Sequence, residues 1–252
     1  MNETEDITVV PAKNRGRLIK PAANGDAASN ESPINAVRQG VDLPKWKIEV
    51  CDIQIVGRTS LIVHCWSHKA IRQMLDDQMG IAKTGREKKD PFADFVGSLY
   101  PVPGEAFRFG VPAPAFKAAA VTASNDVQLK MTQMRRAFHV DTYTVPIEAD
   151  PLTRPETECD AEYAEQLKPY HAIGISMRRD MVRLESGVAD IRFRAWWPKW
   201  RCTLRVEYNP RAISMQQLVN LFRAAGYGSG VGEWRPSAPQ CRSGEFGRFS
   251  VA

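Results

Sequence analysis

The amino-acid sequence predicts an α+β protein with a ferredoxin-like (RRM-like) βαββαβ core, two insertions and a C-terminal glycine-rich loop. Apolar and polar residues alternate in strand-like runs near residues 46–65 and 180–208, and segments with helical spacing follow them. Six of the chain's 17 glycines lie between residues 226 and 249. Without the insertions, the order is strand, helix, strand, strand, helix, strand. In that arrangement two helices cover one face of an antiparallel sheet and leave the other face open.

The composition is that of an ordinary globular protein. With 252 residues, of which 43% are hydrophobic and 25% charged, the chain can bury a substantial core. No apolar run approaches the ~18 residues of a membrane span. The start MNETEDITVV lacks the features of a signal peptide, and the five cysteines form no Cys-x-x-Cys pair. We therefore expect reduced thiols, a cytoplasmic location and no contact with membranes.

The first elements follow from local composition. Residues 1–44 are poor in aromatic residues and rich in Asn, Ala, Pro and Ser, which predicts a flexible N-terminal arm. We expect residues 45–252 to form a single domain. It begins with a strand that turns or bulges at Gly57 and continues from Leu61 to Cys65. A helical pattern follows, and then a charged segment broken by Gly and Pro, which together predict an insertion at about 66–108.

The middle of the chain contains one helix and three strands. A helix rich in small residues is predicted from about Ala113 to Ser124, and a polar stretch predicts a second insertion at about 140–178. The runs DMVRLE, IRFRAWW and RCTLRVEYNP then predict strands, with turns at SGVAD and PKW. Their alternation indicates half-buried strands with one basic face, on which Arg192 and Arg194 stand opposite Phe193.

The last helix lies in ISMQQLVNLFRAAG, where Ser214 and Gln217 have the spacing of a capping box. Gly226 stands where a C′ glycine would end this helix. The glycine-rich loop and a final strand, EFGRFSVA, complete the chain. Because the glycines follow a helix and precede a strand, the loop has the wrong polarity for a P-loop or a dinucleotide-binding fingerprint. Nucleotide hydrolysis is therefore not expected here.

Positive charge is concentrated in one region. The net charge is +5 and the isoelectric point about 9.0. Residues 178–211 hold nine basic and four acidic residues, and this excess equals that of the whole chain. Within this region, RFRAWWPKWR combines cations that can neutralise phosphates with tryptophans that can stack on bases. The alternative is that Trp196, Trp197 and Trp200 are half-buried aromatics that close a hairpin.

Catalytic and metal motifs have little support. His64 and His68 are four residues apart, but no carboxylate or cysteine pair accompanies them at metal-ligand spacing. Asp76 and Asp77 are neighbours, so they point to different sides of a helix and favour a solvated face. No serine or cysteine has the surroundings of a nucleophile. We therefore expect a non-catalytic protein without a cofactor, and a metal-dependent nuclease is the weakest alternative.

Three stretches together resemble the RAMP superfamily, which includes the repeated backbone subunit of CRISPR effector complexes. They are GRTSLIVHC, FGVPAPAFKAAAVTAS and the C-terminal run that begins LFRAAGYGSGVGEWRPSAPQ. The resemblance covers about 90 residues. It implies that Lys117 at a helix N-terminus and the arginines of the glycine-rich loop lie near bound nucleic acid. It also implies that the insertion at 66–108 separates segments of the bound strand.

The chain is also similar to an uncharacterised family of tailed-phage and prophage proteins, in GVPAPAFKAAAV, MRRAFHV and GVGEWRPSAPQCRSGEFGRF. This similarity implies a phage gene product in the cytoplasm of the bacterial host. From the basic region, the glycine-rich loop and the resemblance together, the expected nucleic-acid-binding residues are Lys117, Arg178, Arg179, Arg192, Arg194, Lys199, Trp200, Arg201, Trp234, Arg235, Arg242 and Arg248.

Two functions of different classes follow from the sequence. The first is a protein that binds single-stranded nucleic acid, RNA or DNA, and forms a homo-oligomer or filament along the strand. It predicts a steep salt dependence of binding. The second is a virion-associated or assembly protein whose strands and arm contact other proteins and not nucleic acid. It predicts oligomers that are free of nucleic acid.

Overall fold

The computed structural model describes residues 46–66, 68–81, 88–183, 187–239 and 243–252. The predicted N-terminal arm, 1–44, lies outside them. The strands are β1 (Glu49–Gly57), β2 (Leu61–Val63), β3 (Tyr100–Pro101), β4 (Phe109–Pro112), β5 (Phe138–Val140), β6 (Thr144–Pro146), β7 (Ser176–Arg183), β8 (Ala189–Trp197), β9 (Arg201–Tyr208) and β10 (Phe249–Val251). The α-helices are α1 (His68–Gln78), α2 (Pro91–Gly97), α3 (Ala113–Thr122), α4 (Met131–Ala137), α5 (Glu158–Glu162), α6 (Ala164–His171) and α7 (Met215–Ala224).

The core is a four-stranded antiparallel sheet with the order β10-β1-β9-β5. Along the chain, α3 lies between β1 and β5, and α7 lies between β9 and β10. Both helices pack on one face of this sheet, where Phe116 contacts Phe249 and Phe138 contacts Phe222 through their rings. Two three-stranded antiparallel sheets, β2-β8-β7 and β3-β4-β6, complete the architecture. The structure is therefore of the mixed α and β type with antiparallel sheets, as predicted.

Burial along β9 follows the predicted alternation. Cys202, Leu204 and Val206 point into the core, while Arg201 and Arg205 are exposed on the opposite face. Burying apolar side chains on one face only is what the period of two requires of a sheet covered on one side. The face without helices is therefore charged, and it is called the open sheet face below.

The predicted interruption at Gly57 is confirmed, and it divides the chain between two sheets. β1 pairs with β9, and after the turn β2 pairs with β8 instead. The Gly57 N–H donates to the Trp200 carbonyl at 2.8 Å. A Cβ atom on Gly57 would come within 2.2 Å of the Trp200 indole, so the close approach requires glycine.

This division corrects one expectation from the sequence. The PKW turn joins β8 to β9, but the two strands do not pair, because each pairs with a different part of the broken β1–β2 strand. Only β7 and β8 form the expected hairpin pair. The three basic strands therefore belong to two sheets and do not share a single basic face.

The capping box of α7 is confirmed, because the Ser214 hydroxyl accepts the Gln217 N–H and the Gln217 side chain accepts the Ser214 N–H. The α-helix ends at Ala224 with Ala225 as its C-cap, so Gly226 holds the predicted C′ position, although its φ is not left-handed. Residues 225–229 continue the helix as a π-helical turn, and Gly230, with a φ of 67°, follows that turn. Gly226 is needed for a different reason: a Cβ atom there would come within 2.1 Å of the Phe249 carbonyl oxygen on β10.

The two predicted insertions contain short elements. Residues 66–108 include α1, α2 and β3, and residues 140–178 include β6, α5 and α6. Within the described part of the chain, no helix has both the length and the apolar character needed to cross a membrane.

Candidate nucleic-acid interface

A groove of about 350 Å³ opens where the C-terminal end of α7 meets β10 and the turn after β1. Three arginines surround it, Arg58, Arg223 and Arg248, and we call it the arginine groove. Its lining is completed by Thr59, Gly226, Tyr227, Phe249 and Ser250. Among the described residues that line it there is no carboxylate, so the groove presents cations, hydroxyls and aromatic surface to a ligand.

Backbone contacts hold the arginines of the groove in place. Arg58 lies in the turn between β1 and β2, and its N–H donates to the Arg248 carbonyl at 2.8 Å. The Arg248 N–H in turn donates to the Thr59 hydroxyl at 3.0 Å. Arg223 comes from the last turn of α7, and Tyr227 from the π-helical turn that follows it. The groove therefore joins three chain segments that are distant in sequence.

The charges of the groove are only partly neutralised. Arg248 pairs with exposed Glu245 at 3.0 Å, and its guanidinium lies 5.1 Å from the centre of the Tyr227 ring. Arg58 and Arg223 are exposed, and within the described ranges neither has a carboxylate at ion-pair distance. Tyr227 is 76% exposed, so much of its ring surface is open to a ligand. The groove thus offers two unpaired cations and an accessible aromatic ring.

The arginines of the open sheet face differ from those of the groove. Arg201 contacts Asp150 at 3.1 Å and Glu148 at 3.5 Å, and Arg205 contacts Asp141 at 3.5 Å. The hydrogen bond from Arg201 to Asp150 raises the pKa of Arg201. This predicted part of the basic surface is therefore matched by acidic residues that flank β9 in space.

The expectation that Arg194 lies on an exposed binding face is wrong. Its side chain is 1% exposed and contacts Asp180 at 3.1 Å and Glu233 at 3.4 Å. The guanidinium also lies 4.6 Å from the centre of the Trp234 ring. Burial lowers the pKa of Arg194, against the opposing effect of the two carboxylates. The glycine-rich loop covers this side of β8 through Glu233 and Trp234, so Arg194 fastens the loop to the sheet.

Trp200 is also removed from the surface, which corrects its predicted role in stacking on bases. Its side chain is 3% exposed and its indole N–H donates to the Thr59 carbonyl at 2.8 Å. Its ring also contacts Phe249. The alternative interpretation, in which these tryptophans are packing residues, applies to Trp200 and to Trp197, which is 1% exposed.

Several other predicted residues engage partners inside the protein. Arg178 donates to Asp180 at 2.7 Å and lies against the rings of Trp234 and Phe246. Those two rings contact each other, with centroids 5.9 Å apart. Arg235 donates to the Gly232 carbonyl at 3.0 Å. These contacts place Arg178, Arg235 and Trp234 in the packing of the glycine-rich loop.

The remaining predicted residues are spread over the surface. Arg179 lies near Glu162 at 3.7 Å, and Arg192 lies near Asp190 at 3.7 Å. Lys117 on α3 contacts the His139 ring at 3.0 Å, and burial lowers the pKa of Lys117. Lys199 is exposed in the turn before β9. Arg242 lies outside the described residues.

The structure adds no support for the metal site or the nuclease considered from the sequence. Among the described residues there is no group of three or more His, Cys, Asp or Glu side chains placed to hold a metal ion. His64 lies next to the β2-β8-β7 sheet, where burial lowers its pKa. Asp76 and Asp77 lie on α1, which is outside the arginine groove.

Comparisons with known proteins give no family for this chain. No protein-family model and no curated protein matches it. Among solved structures, it is similar to the crystal structure of Cmr6 from Pyrococcus furiosus, with a TM-score of 0.33 and 11% sequence identity. That similarity covers 82% of this chain and 100% of the Cmr6 chain. At this TM-score it carries no argument about function, so the function must be argued from the site.

Of the groove residues, Arg248 was predicted from the sequence, whereas Arg58, Arg223 and Tyr227 were not. Each of these three is a single residue in an ordinary local context, outside the basic region at 178–211. The available signal was position: Arg58 lies in the predicted turn GRTS, and Arg223 and Tyr227 flank the start of the glycine-rich loop. Both segments end at the same edge of the predicted sheet.

Proposed function

We propose that the protein binds single-stranded nucleic acid, without catalysing a reaction, through the arginine groove. The observation that carries this proposal is the convergence of Arg58, Arg223 and Arg248 on one groove, whose described lining residues include no carboxylate. Guanidinium groups hold phosphate oxygens through paired, charge-assisted hydrogen bonds. Two of the three arginines have no competing acidic partner in the described structure, so phosphate binding would not first require an ion pair to break.

Tyr227 favours a single strand over a duplex. Arg248 lies against its ring at 5.1 Å, and the 76% exposure leaves ring surface on which a base can stack. Stacking on an aromatic side chain needs an unpaired base, because bases inside a duplex already stack on their neighbours. A groove that combines phosphate-binding arginines with one exposed tyrosine therefore fits a nucleotide of a single strand.

The proposal includes a specific fold, a ferredoxin-like core of the RAMP type. The strand order β10-β1-β9-β5, with α3 and α7 on one face, supports a ferredoxin-like core of the RAMP type. An origin in a phage, a location in the host cytoplasm and assembly along the strand are also part of the proposal. The groove lies at the edge strand β10, beside the glycine-rich loop that first suggested nucleic-acid binding.

Fluorescence anisotropy with a labelled 20-nucleotide single strand, as DNA and as RNA, tests the proposal over a series of salt concentrations. We expect Arg58→Ala and Arg223→Ala each to weaken binding and to reduce the salt slope by about one. Arg201→Ala and Arg205→Ala are matched controls, because both arginines are exposed but paired with carboxylates. Equal binding by the wild type and both groove variants would reject the groove as the nucleic-acid site.

A second function, assembly through protein contacts, is favoured by one observation. Ile71, Met74, Leu75 and Met79 on and just after α1 are all exposed, although their spacing places them along one side of the helix. In this case the partner is a second copy of the chain, paired through α1. Light scattering after size-exclusion chromatography distinguishes the two functions. Under the assembly proposal, the wild type remains an oligomer after nuclease treatment, and Ile71→Ser/Leu75→Ser is a monomer. A wild-type monomer would contradict it.

A further inference from the structure

A second basic cleft lies on a different part of the molecule, between α6 and the segment 152–155 that runs beside it. Its volume is about 390 Å³. The Leu152 N–H donates to the His171 carbonyl at 2.9 Å, which holds the segment against the C-terminal end of α6. The residues lining the cleft are Leu152, Thr153, Arg154, Pro155, Ala164, Lys168, His171 and Ala172. We propose that this cleft is a second anion site, which binds a phosphate group.

Three basic side chains face the cleft from its two walls. Arg154 comes from the segment, while Lys168 and His171 come from α6, three residues apart and therefore on one side of that helix. Arg154 is exposed, and it has no carboxylate at ion-pair distance in the described part of the chain. Lys168 pairs with Glu165 at 2.6 Å, but both side chains are largely exposed. An exposed pair of this kind contributes little, so Lys168 can turn to a ligand at small cost.

A buried carboxylate fixes the orientation of His171. Asp160 on α5 is fully buried, and one of its oxygens lies 2.8 Å from Nε2 of His171. The same carboxylate accepts the backbone N–H groups of Glu156 at 2.9 Å and Met177 at 3.3 Å. Because an ionised carboxylate can only accept, the Nε2 proton of His171 points to Asp160 and the ring is held in one orientation. His171 therefore forms a fixed wall of the cleft, and the hydrogen-bond donors for an anion are the side chains of Arg154, Lys168 and Thr153.

The charge, size and hydrogen-bond donors of the cleft favour a phosphate group as its ligand. Two mobile cations and a fixed imidazole surround a space at the small end of the range for ligand sites. The Thr153 hydroxyl adds a neutral donor. A phosphate group has the charge and the several acceptor oxygens that Arg154, Lys168 and the Thr153 hydroxyl can satisfy. The phosphate can belong to the end of a nucleic-acid strand or to a small molecule, and the two sources can be separated by experiment.

This inference does not depend on the proposed function, because the described residues that line the cleft are all different from those that line the arginine groove. The groove is formed by α7, β10 and the turn after β1, whereas the cleft is formed by α6 and the segment before α5. Substitutions at one site therefore leave the charges of the other unchanged. Failure of one proposal can be recognised while the other stands.

The test uses the full chain with Arg58→Ala/Arg223→Ala, so that the groove does not contribute to anion binding. Isothermal titration calorimetry measures the affinity for inorganic phosphate. Fluorescence anisotropy compares a single strand that carries a 5′-phosphate with the same strand that carries a 5′-hydroxyl. Arg154→Ala and Lys168→Ala are the test variants, and Arg211→Ala is the control, since Arg211 is exposed and lines neither site. Thermal unfolding of each variant confirms that it is folded.

We expect at least one of the two probes to bind saturably, with an affinity that falls about tenfold or more in Arg154→Ala and in Lys168→Ala but not in Arg211→Ala. Lys168→Arg should retain most of the binding. Dependence of inorganic phosphate binding on the cleft identifies a free anion as the ligand. Dependence confined to the 5′-phosphorylated strand identifies a strand end. If folded Arg154→Ala and Lys168→Ala bind both probes as Arg211→Ala does, or if nothing binds, the inference is overturned.

Discussion

The open sheet face and the arginine groove are both rich in arginine, yet they differ in what surrounds the charge. On the sheet face, Arg201 and Arg205 lie 3.1 to 3.5 Å from carboxylates. In the groove, Arg58 and Arg223 face no carboxylate among the described residues. A paired arginine must exchange one anion for another when a phosphate binds, whereas an unpaired arginine gains a new partner. The number of arginines therefore does not locate a binding surface, but their partners do.

A third environment extends this comparison, because Arg194 is both paired and buried. The same residue type thus performs three tasks in one chain: it fastens a loop, balances charge on a sheet and lines a groove. Each task predicts a different effect of substitution on stability or on binding. The expected free-energy change is largest at the buried site and smaller at the surface.

The largest effect is expected from Arg194→Ala. This change removes one of the two guanidinium groups that contact the buried Asp180 carboxylate, which keeps Arg178, and it takes the cation from Glu233. Because Asp180 keeps Arg178, we expect the free energy of unfolding to fall by about 3 kcal/mol, the lower end of the range for breaking a buried ion pair. Urea denaturation measures this loss, and Arg201→Ala is the comparison, for which we expect a change below about 1 kcal/mol. Similar losses in the two variants would show that burial does not separate these arginines.

The next effect is on binding. Tyr227→Ala should weaken single-strand binding by about 1–3 kcal/mol, the value of one base stacked on an aromatic ring. Tyr227→Phe should bind almost as well as the wild type, because the ring is retained. Tyr143 is 80% exposed and lies outside the groove, so Tyr143→Ala is the matched control in the same anisotropy assay. Equal weakening by the two alanine variants would contradict a specific role for the groove.

A smaller effect is expected when the acidic partners on the open sheet face are removed, because the difference between that face and the groove then disappears. Glu148→Gln/Asp150→Asn removes both acidic partners of Arg201 and makes the open sheet face resemble the groove. We expect single-strand binding to become tighter by up to about 1 kcal/mol, and the salt slope to become steeper. The measurement is anisotropy at several salt concentrations. No change at low salt would mean that the sheet face lies away from the path of the strand.

The smallest effect is expected within the groove itself. Glu245→Gln releases the half-buried Arg248 from its ion pair with exposed Glu245 at 3.0 Å. Such pairs contribute about 0.2–1 kcal/mol, so binding should become slightly tighter, and the gain should vanish at high salt. Glu165→Gln, which releases Lys168 from an exposed ion pair away from the groove, is the control in the single-strand assay with a 5′-hydroxyl end. Weaker binding by Glu245→Gln would indicate that Glu245 positions Arg248 and does not compete with the ligand.

What the sequence could predict depended on how local each feature is. The capping box at Ser214 and the alternation along β9 are set by residues that are neighbours in the chain, and both were predicted correctly. The burial of Trp200 depends on Gly57, 143 positions earlier, so the local pattern RAWWPKW was equally compatible with exposure and with packing. Arg58 carried no signal of its own, since its role comes from a backbone contact with Arg248.

The separation of the groove arginines along the chain has a thermodynamic consequence. Because Arg58, Arg223 and Arg248 meet only in the folded state, a ligand of the groove has no comparable site on the unfolded chain. Such a ligand stabilises the folded state by mass action, since the added free energy of unfolding grows with the logarithm of the ligand concentration over its dissociation constant, and the melting temperature rises. A thermal-shift screen of nucleotides and oligonucleotides therefore ranks candidate ligands without a label, and peptides cut from any one segment should not bind.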